Sequence, residues 1–228
     1  ITIFRLGAKS KRNGNKIEMK LLEDGYYIPD GDDPVHHVGG NVKEHDNKIH
    51  EEVLKRTNGR THMIDVGGNV GRWANYYADI FDQVTAFEPA DYNIECFKIN
   101  TKDKTNITLN EYGLADKPGK GKLAVAIEEH LGSTRVWPGE EGDIVLKTMD
   151  EHNYDVIDVL KIDVEGLEIP VLNGARKTLE RCSPVIIIER CVLNSEAYGY
   201  TKNDSHDLLV ELGYQRAVKV TRDCIYVK

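Results

Sequence analysis

The stretch MIDVGGNVG, residues 63–71, constrains this chain more than any other. Met63, Ile64, Asp65 and Val66 read as the end of a buried strand. Gly67, Gly68 and Gly71 then remove side chains where a helix should begin. A strand that passes through glycines into a helix is the first crossover of a parallel sheet. In such sheets a ligand binds beyond the C-terminal strand ends, where the winding direction switches, and glycines let it approach backbone amides at a helix N-terminus.

The rest of the chain supports that architecture. Strand signals fall at 62–66, 83–88, 107–112, 122–127, 144–148, 157–163 and 184–190. Helical periodicity fits 43–57 (Ile49, Val53, Arg56), 70–81 (Trp73, Tyr76, Tyr77, Ile80), 91–101 and 168–181, the last with Pro170 in its first turn. A final helix, 204–212, gathers Leu208, Leu209 and Leu212 and stops at Gly213. Alternating strands and helices predict right-handed crossovers and a mostly parallel sheet. The tail, QRAVKV and then CIYVK, predicts an antiparallel hairpin at one edge. Residues 1–42 read as a strand or two and then a loop.

Composition removes several classes. With 40% hydrophobic and 30% charged residues the chain is neither disordered nor membrane-spanning, and its longest strongly apolar run, SPVIIIE, is too short to cross a bilayer. Cys96, Cys182, Cys191 and Cys224 have no metal-site spacing and fit a reducing, cytoplasmic setting. A net charge of −8 weighs against a nucleic-acid surface. The basic segment 1–20 (Arg5, Lys9, Lys11, Arg12, Lys16, Lys20) reads as a solvated edge strand or tail. The chain opens at Ile1 without Met, and the first twenty residues lack the apolar centre of a secretory signal.

Two ligand classes use a glycine turn of this kind: dinucleotides and S-adenosylmethionine. The run Asp65-x-Gly67-x-Asn69-x-Gly71 departs from the dinucleotide fingerprint G-x-G-x-x-G and places an acid inside the strand end. Asp65 suits the cationic amino group of methionine. The next strand ends VTAFEPA. Its Glu88 lies about twenty residues beyond Gly67, the spacing of an acid that accepts ribose hydroxyls, before Pro89 turns the chain.

From about residue 60 to the end, the chain resembles the FkbM family of S-adenosylmethionine-dependent methyltransferases. The segments that carry the likeness are MIDVGGNVGRWA, VTAFEPADYNIECFKIN, GLADKPG, HLGSTRV, LKTMDEH, IDVLKIDVEGLEIPVLNGARKTLE and PVIIIE. The resemblance implies an α/β, Rossmann-like class I methyltransferase fold, with a mostly parallel seven-stranded sheet, an antiparallel C-terminal hairpin and helices on both faces. Residues 1–60 would be an N-terminal extension or cap and 61–228 the methyltransferase domain. It implies that Gly67, Gly68, Asn69 and Gly71 line the methionine and ribose side and that Glu88, followed by Pro89, holds the ribose. Asn110, Gly113 and Leu114 would flank the adenine, and Ser133 and Thr134 would lie on a loop near cofactor or acceptor.

The acids that follow later strands bear on the chemical step. KIDVEG supplies Asp163 and Glu165, and VIIIER supplies Glu189. If the intervening crossover is right-handed and the strands are neighbours, Asp163 and Glu189 end side by side at the switch point. There a carboxylate would act as base for a hydroxyl acceptor, or the acids would hold a divalent cation, magnesium or manganese. For Glu165, helix capping is the competing role; for Glu189, it is pairing with Arg190 or a loop lysine. Lys161 invites comparison with the Lys-Asp-Lys-Glu set of RNA ribose methyltransferases, but no second lysine is suitably spaced. His36, His37, His45 and His50 cluster in the region that would cover the cleft, and His130 precedes LGST. The expected function is O-methylation of a hydroxyl on a sugar, glycan or other small metabolite. A non-catalytic S-adenosylmethionine-binding scaffold and an NAD(P)-dependent oxidoreductase are the alternatives.

Overall fold

The computed structural model describes residues 4–12, 15–34, 40–127, 130–139, 141–190, 192–201 and 203–228. An antiparallel sheet of β1 (Phe4–Arg12), β2 (Asn15–Leu21) and β3 (Tyr27–Pro29) leads into helix α1 (Gly40–Leu54). Then come β4 (His62–Val66), α2 (Arg72–Tyr77), β5 (Gln83–Phe87), α3 (Asp91–Asn100) and β6 (Ile107–Asn110). Four consecutive strands follow: β7 (Gly113–Leu114), β8 (Gly119–Ile127), β9 (His130–Pro138) and β10 (Ile144–Lys147). The chain finishes with β11 (Val159–Ile162), α4 (Glu168–Asn173), α5 (Arg176–Cys182), β12 (Val185–Glu189), α6 (Val192–Ala197), α7 (Asp204–Glu211), β13 (Gln215–Val220) and β14 (Asp223–Val227).

The central sheet has seven strands in the order β13-β14-β12-β11-β4-β5-β6. Strands β12, β11, β4, β5 and β6 are mutually parallel. The C-terminal hairpin joins them through β14, which lies antiparallel to β12. Strand alternation sorts the side chains into two cores. Ile64, Val66, Leu160, Ile162, Ile186 and Ile188 face the helices α4, α5 and α7, packing with Val171, Leu172, Leu179 and Leu209. Met63, Val84, Ala86, Val159 and Ile187 face α1, α2 and α3, packing with Ile49, Val53, Tyr77 and Phe97. From β4 the chain winds outward to β5 and β6, then returns to β11 on the other side of β4. The switch point therefore lies between the ends of β4 and β11.

Two expectations from periodicity fail. The strand signals at 122–127 and 144–148 do not enter the central sheet: with β7 and β9 they form a separate sheet of order β7-β10-β8-β9. The resemblance puts Ser133 and Thr134 on a loop, yet both lie in β9, paired with β8 so that Leu123 faces Val136 in register. The helix expected over 168–181 is two helices. The carbonyl of Gly174 accepts the amide of Asp150 at 2.9 Å, and Asp150 Oδ1 accepts the amide of Thr178 at 2.9 Å, starting α5 afresh. Among the described residues, no helix is long and apolar enough to cross a membrane.

Candidate active site

A cleft of about 510 Å³ opens over the switch point, a size usual for small-molecule sites. Its floor is the turn after β4. Gly67 has a φ of +85°, and a Cβ there would lie 1.8 Å from the carbonyl oxygen of Asp163, so only glycine lets this turn pass the end of β11. Gly67, Gly68 and Asn69 line the cleft. Gly71 lies off the lining: at φ +86° it starts α2, with Phe97 and Thr101 packed where a Cβ would go.

Glu88 lines the same half of the cleft and is buried. Its carboxylate accepts the amide of Asn69 at 2.8 Å and that of Ala90 at 2.9 Å, bracing the glycine turn against the end of β5. Burial pushes its pKa up to about 7, against the pull of those two amides. Pro89, Gly113 and Leu114 also line the cleft. Asn110 does not; its carbonyl accepts the amide of Glu88 at 3.1 Å, so it supports the wall from behind. Thr134 reaches the cleft from β9, not from a loop, and its hydroxyl bonds that of Tyr92. Ser133 lies on the same strand, its side chain outside the described residues. Asn93 of α3 lines this half as well, and sequence reasoning missed it.

Beneath the turn is a buried ion pair. Asp65 and Lys161 are register partners on β4 and β11, on the face turned toward α1 and α2. Lys161 Nζ lies 3.1 Å from Asp65 Oδ1, 3.3 Å from the carbonyl of Gly67 and 3.7 Å from Asp163 Oδ2. Burial alone would lower the lysine pKa, but the charges of Asp65 and Asp163 hold it above its usual value. Asp65 is thus already engaged through one oxygen, while its Oδ2 has no donor. A lysine inside an otherwise apolar strand was the sequence signal that a buried acid must face it.

The strand-end acids converge at the other end of the cleft. Oxygens of Asp163, Glu165 and Glu189 lie within 4.8 Å of one another. Glu165 reaches this point from a left-handed backbone, φ +54°, and accepts a bond from Asn194 Nδ2 at 2.6 Å. It does not cap α4, which has no side-chain cap; Glu168 braces the turn before that helix, its carboxylate accepting the amide of Gly166 at 3.0 Å. Glu189 pairs with Arg222, not Arg190 or a lysine, with Nε 3.2 Å from Oε1. Burial, and then the charge of Asp163, raise Glu165 to about 8 and Glu189 to about 9.

The N-terminal part packs against this frame. Asn100 on α3 binds both backbone groups of Tyr27 and the carbonyl of Val70. Arg72 pairs with Asp24 at 2.7 Å, and Asp32 accepts the amide of Leu131 at 3.0 Å. His45 of α1 lines the cleft with Nε2 2.8 Å from Thr221 Oγ1 and 3.2 Å from Asp223 Oδ2. Asp223 raises the pKa of His45 to about 9. His50 lies instead in an aromatic cluster, stacked on Tyr76 at 3.9 Å, and burial lowers its pKa to about 4. His36 and His37, and the side chain of His130, lie outside the described residues.

A seven-stranded sheet of this order, with a glycine turn at its switch point, is the fold of the class I methyltransferases. The chain belongs to the methyltransferase FkbM domain family, whose model matches residues 65–216. It is similar to the crystal structure of methyltransferase FkbM from Methylobacillus flagellatus KT, with 19% identity and a TM-score of 0.50, covering 75% of this chain. The chain spans only 44% of that structure's length. It is also similar to N-methyltransferase NodS from Bradyrhizobium japonicum WM9, with 11% identity, a TM-score of 0.49, and 82% and 96% of the two chains covered. A third similar structure is magnesium protoporphyrin IX methyltransferase from Synechocystis PCC 6803 with bound S-adenosylmethionine, with 12% identity, a TM-score of 0.49, and 82% and 78% covered. At these identities the structural likenesses concern the fold alone. No curated protein matches the chain.

Proposed function

We propose that the protein transfers a methyl group from S-adenosylmethionine to a hydroxyl of a sugar, glycan or other small metabolite. The observation that carries this is the division of one cleft into a glycine-turn half braced by Glu88 and a carboxylate half at the ends of β11 and β12. The first half fits the cofactor. Asp65 Oδ2, Asn69 Oδ1 and Asn93 Oδ1 are buried acceptors without donors, on residues that line it. An ammonium group, ribose hydroxyls and an adenine amino group supply the donors such atoms lack. In this reading Gly67, Gly68 and Asn69 border the methionine and ribose, Glu88 and Asn93 the ribose, and Pro89, Gly113, Leu114 and Thr134 the adenine side. Gly71 and Asn110 act behind the wall, and residues 1–60 serve as a cap.

S-adenosylmethionine supplies an electrophilic methyl group, which passes to the acceptor oxygen as the bond to sulfur breaks. The protein holds the acceptor in line, a contribution of roughly 7–11 kcal/mol in well-oriented systems. A hydroxyl must also lose its proton. Glu165 and Glu189, raised to about 8 and about 9 by burial and then by the charge of Asp163, are stronger bases than ordinary carboxylates once their own protons are off. The same oxygens are of the kind that magnesium and manganese take as ligands. The acid lining and the net charge of −8 argue for a neutral acceptor over nucleic acid.

The test is transfer of label from S-adenosylmethionine to a panel of sugars, glycans, duplex DNA and RNA. Label on a sugar or glycan hydroxyl is expected. Asp163→Asn and Glu189→Gln should each cut turnover while S-adenosylhomocysteine affinity stays within a few-fold. Robust labelling of nucleic acid, or wild-type turnover in both variants, would overturn the reading.

A further inference from the structure

We propose that Asp163, Glu165 and Glu189 form a site for one divalent cation, magnesium or manganese, at the acceptor end of the cleft. The inference rests on the reading of this cleft as a methyl-transfer site. Two elements meet there: the turn after β11 brings Asp163 and Glu165, and the end of β12 brings Glu189. Their oxygens lie within 4.8 Å of one another, a spread that an ion with ligands at roughly 2.1–2.6 Å draws together by small side-chain movements. All three donors are carboxylate oxygens. This is the hard donor set of magnesium and manganese, and without histidine or thiolate it does not select zinc or copper.

A second observation is independent of the clustering. Glu189 is 8% exposed, and its Oε2 is enclosed with no hydrogen-bond donor, although Oε1 faces Arg222. A buried carboxylate oxygen left bare costs free energy unless something cationic or protic meets it. Arg222 meets only Oε1 of this carboxylate, and no other side chain among the described residues donates to Oε2. Lys161 stands closer to Asp65 and Gly67 than to Asp163, and Asn194 serves the other acid, Glu165. All three acids line the open cleft, so an ion there would keep coordination positions for water or for acceptor oxygens. Two adjacent hydroxyls on one ring would fill such positions together. The site therefore favours a vicinal diol, as sugars carry, over an isolated alcohol. An ion at this point would lower the pKa of a bound hydroxyl, easing the loss of its proton.

The experiment is a titration of the full, metal-free chain with Mn2+, followed by the paramagnetic resonance of the free ion, with S-adenosylhomocysteine present. One Mn2+ per chain should bind and be displaced by Mg2+. Glu189→Gln and Glu165→Gln should each weaken it at least about tenfold while the thermal shift with S-adenosylhomocysteine is kept. If Glu189→Gln does not fold, Glu165→Gln carries the comparison. No bound Mn2+ up to about 1 mM, the weak end of protein sites for divalent cations, would overturn the proposal, as would wild-type affinity in the variants. A retained shift with no Mn2+ bound removes the cation and leaves methyl transfer standing; loss of the shift in the wild type removes both.

Discussion

Glu88 ties the glycine turn to the ligand it is proposed to hold. Its carboxylate stays buried because two amides meet it, and it titrates near neutrality because burial outweighs them. An acid whose folded pKa is raised, here from 4.5 to about 7, contributes stability that is complete below pH 4.5 and is lost as pH rises through 7. Chemical denaturation of the ligand-free protein at pH 5 and pH 8 should therefore show a steeper loss in the wild type than in Glu88→Gln. Equal losses would mean that this carboxyl does not titrate there. Glu88→Ala should be worse than Gln at every pH, since the amides of Asn69 and Ala90 both lose their acceptor where Gln keeps one, at about 1–3 kcal/mol for each buried donor.

Lys161 gives a second prediction at this scale. Asp65 is 1% exposed and this lysine is its counter-ion. Lys161→Met should cost about 3–5 kcal/mol by leaving a buried charge unpaired, and adding Asp65→Asn should recover part of it. Additive losses in the double-mutant cycle would show that the pair is not coupled.

At the scale of elements, α1 is held to the tip of the C-terminal hairpin by His45, through Thr221 and Asp223. A histidine raised from 6.5 to about 9 contributes stability that is full below pH 6.5 and is lost as pH rises through 9. Amide exchange within residues 40–54, normalised for intrinsic rates, should show protection falling across that window. Asp223→Asn should flatten the dependence, and an unchanged profile in that variant would break the link. The turn after β4 is the other element under constraint. Gly67→Ala forces a Cβ against Asp163 in a left-handed backbone, so it should destabilise by at least about 1–3 kcal/mol and abolish S-adenosylhomocysteine binding. A well-folded variant that still binds would contradict the role given to that turn.

For the whole molecule, what the sequence revealed follows the range of the interactions. The turn at Gly67, the strand that ends before Glu88 and the neighbouring ends of β11 and β12 are local patterns joined by one handedness rule, and all were legible. In the separate sheet β8 and β10 were legible as strands, but β9 was not, because LGSTR carries loop-forming residues and becomes a strand only through its pairing with β8. The approach of His45 to Asp223, and of Arg222 to Glu189, depends on packing between residues far apart in sequence, which no periodicity records. The Asp65–Lys161 pair lies between these cases: the unpaired lysine was visible, its partner only once the strands were in register.

The central claim, that this cleft binds S-adenosylmethionine, is tested most directly by calorimetric titration of the full chain with S-adenosylhomocysteine, S-adenosylmethionine, NAD and NADP in turn. Both adenosyl compounds should bind saturably, at one per chain and weakened by Glu88→Ala, with no heat of binding from either dinucleotide. Saturable binding of NAD or NADP, with none of the adenosyl compounds, would contradict the claim.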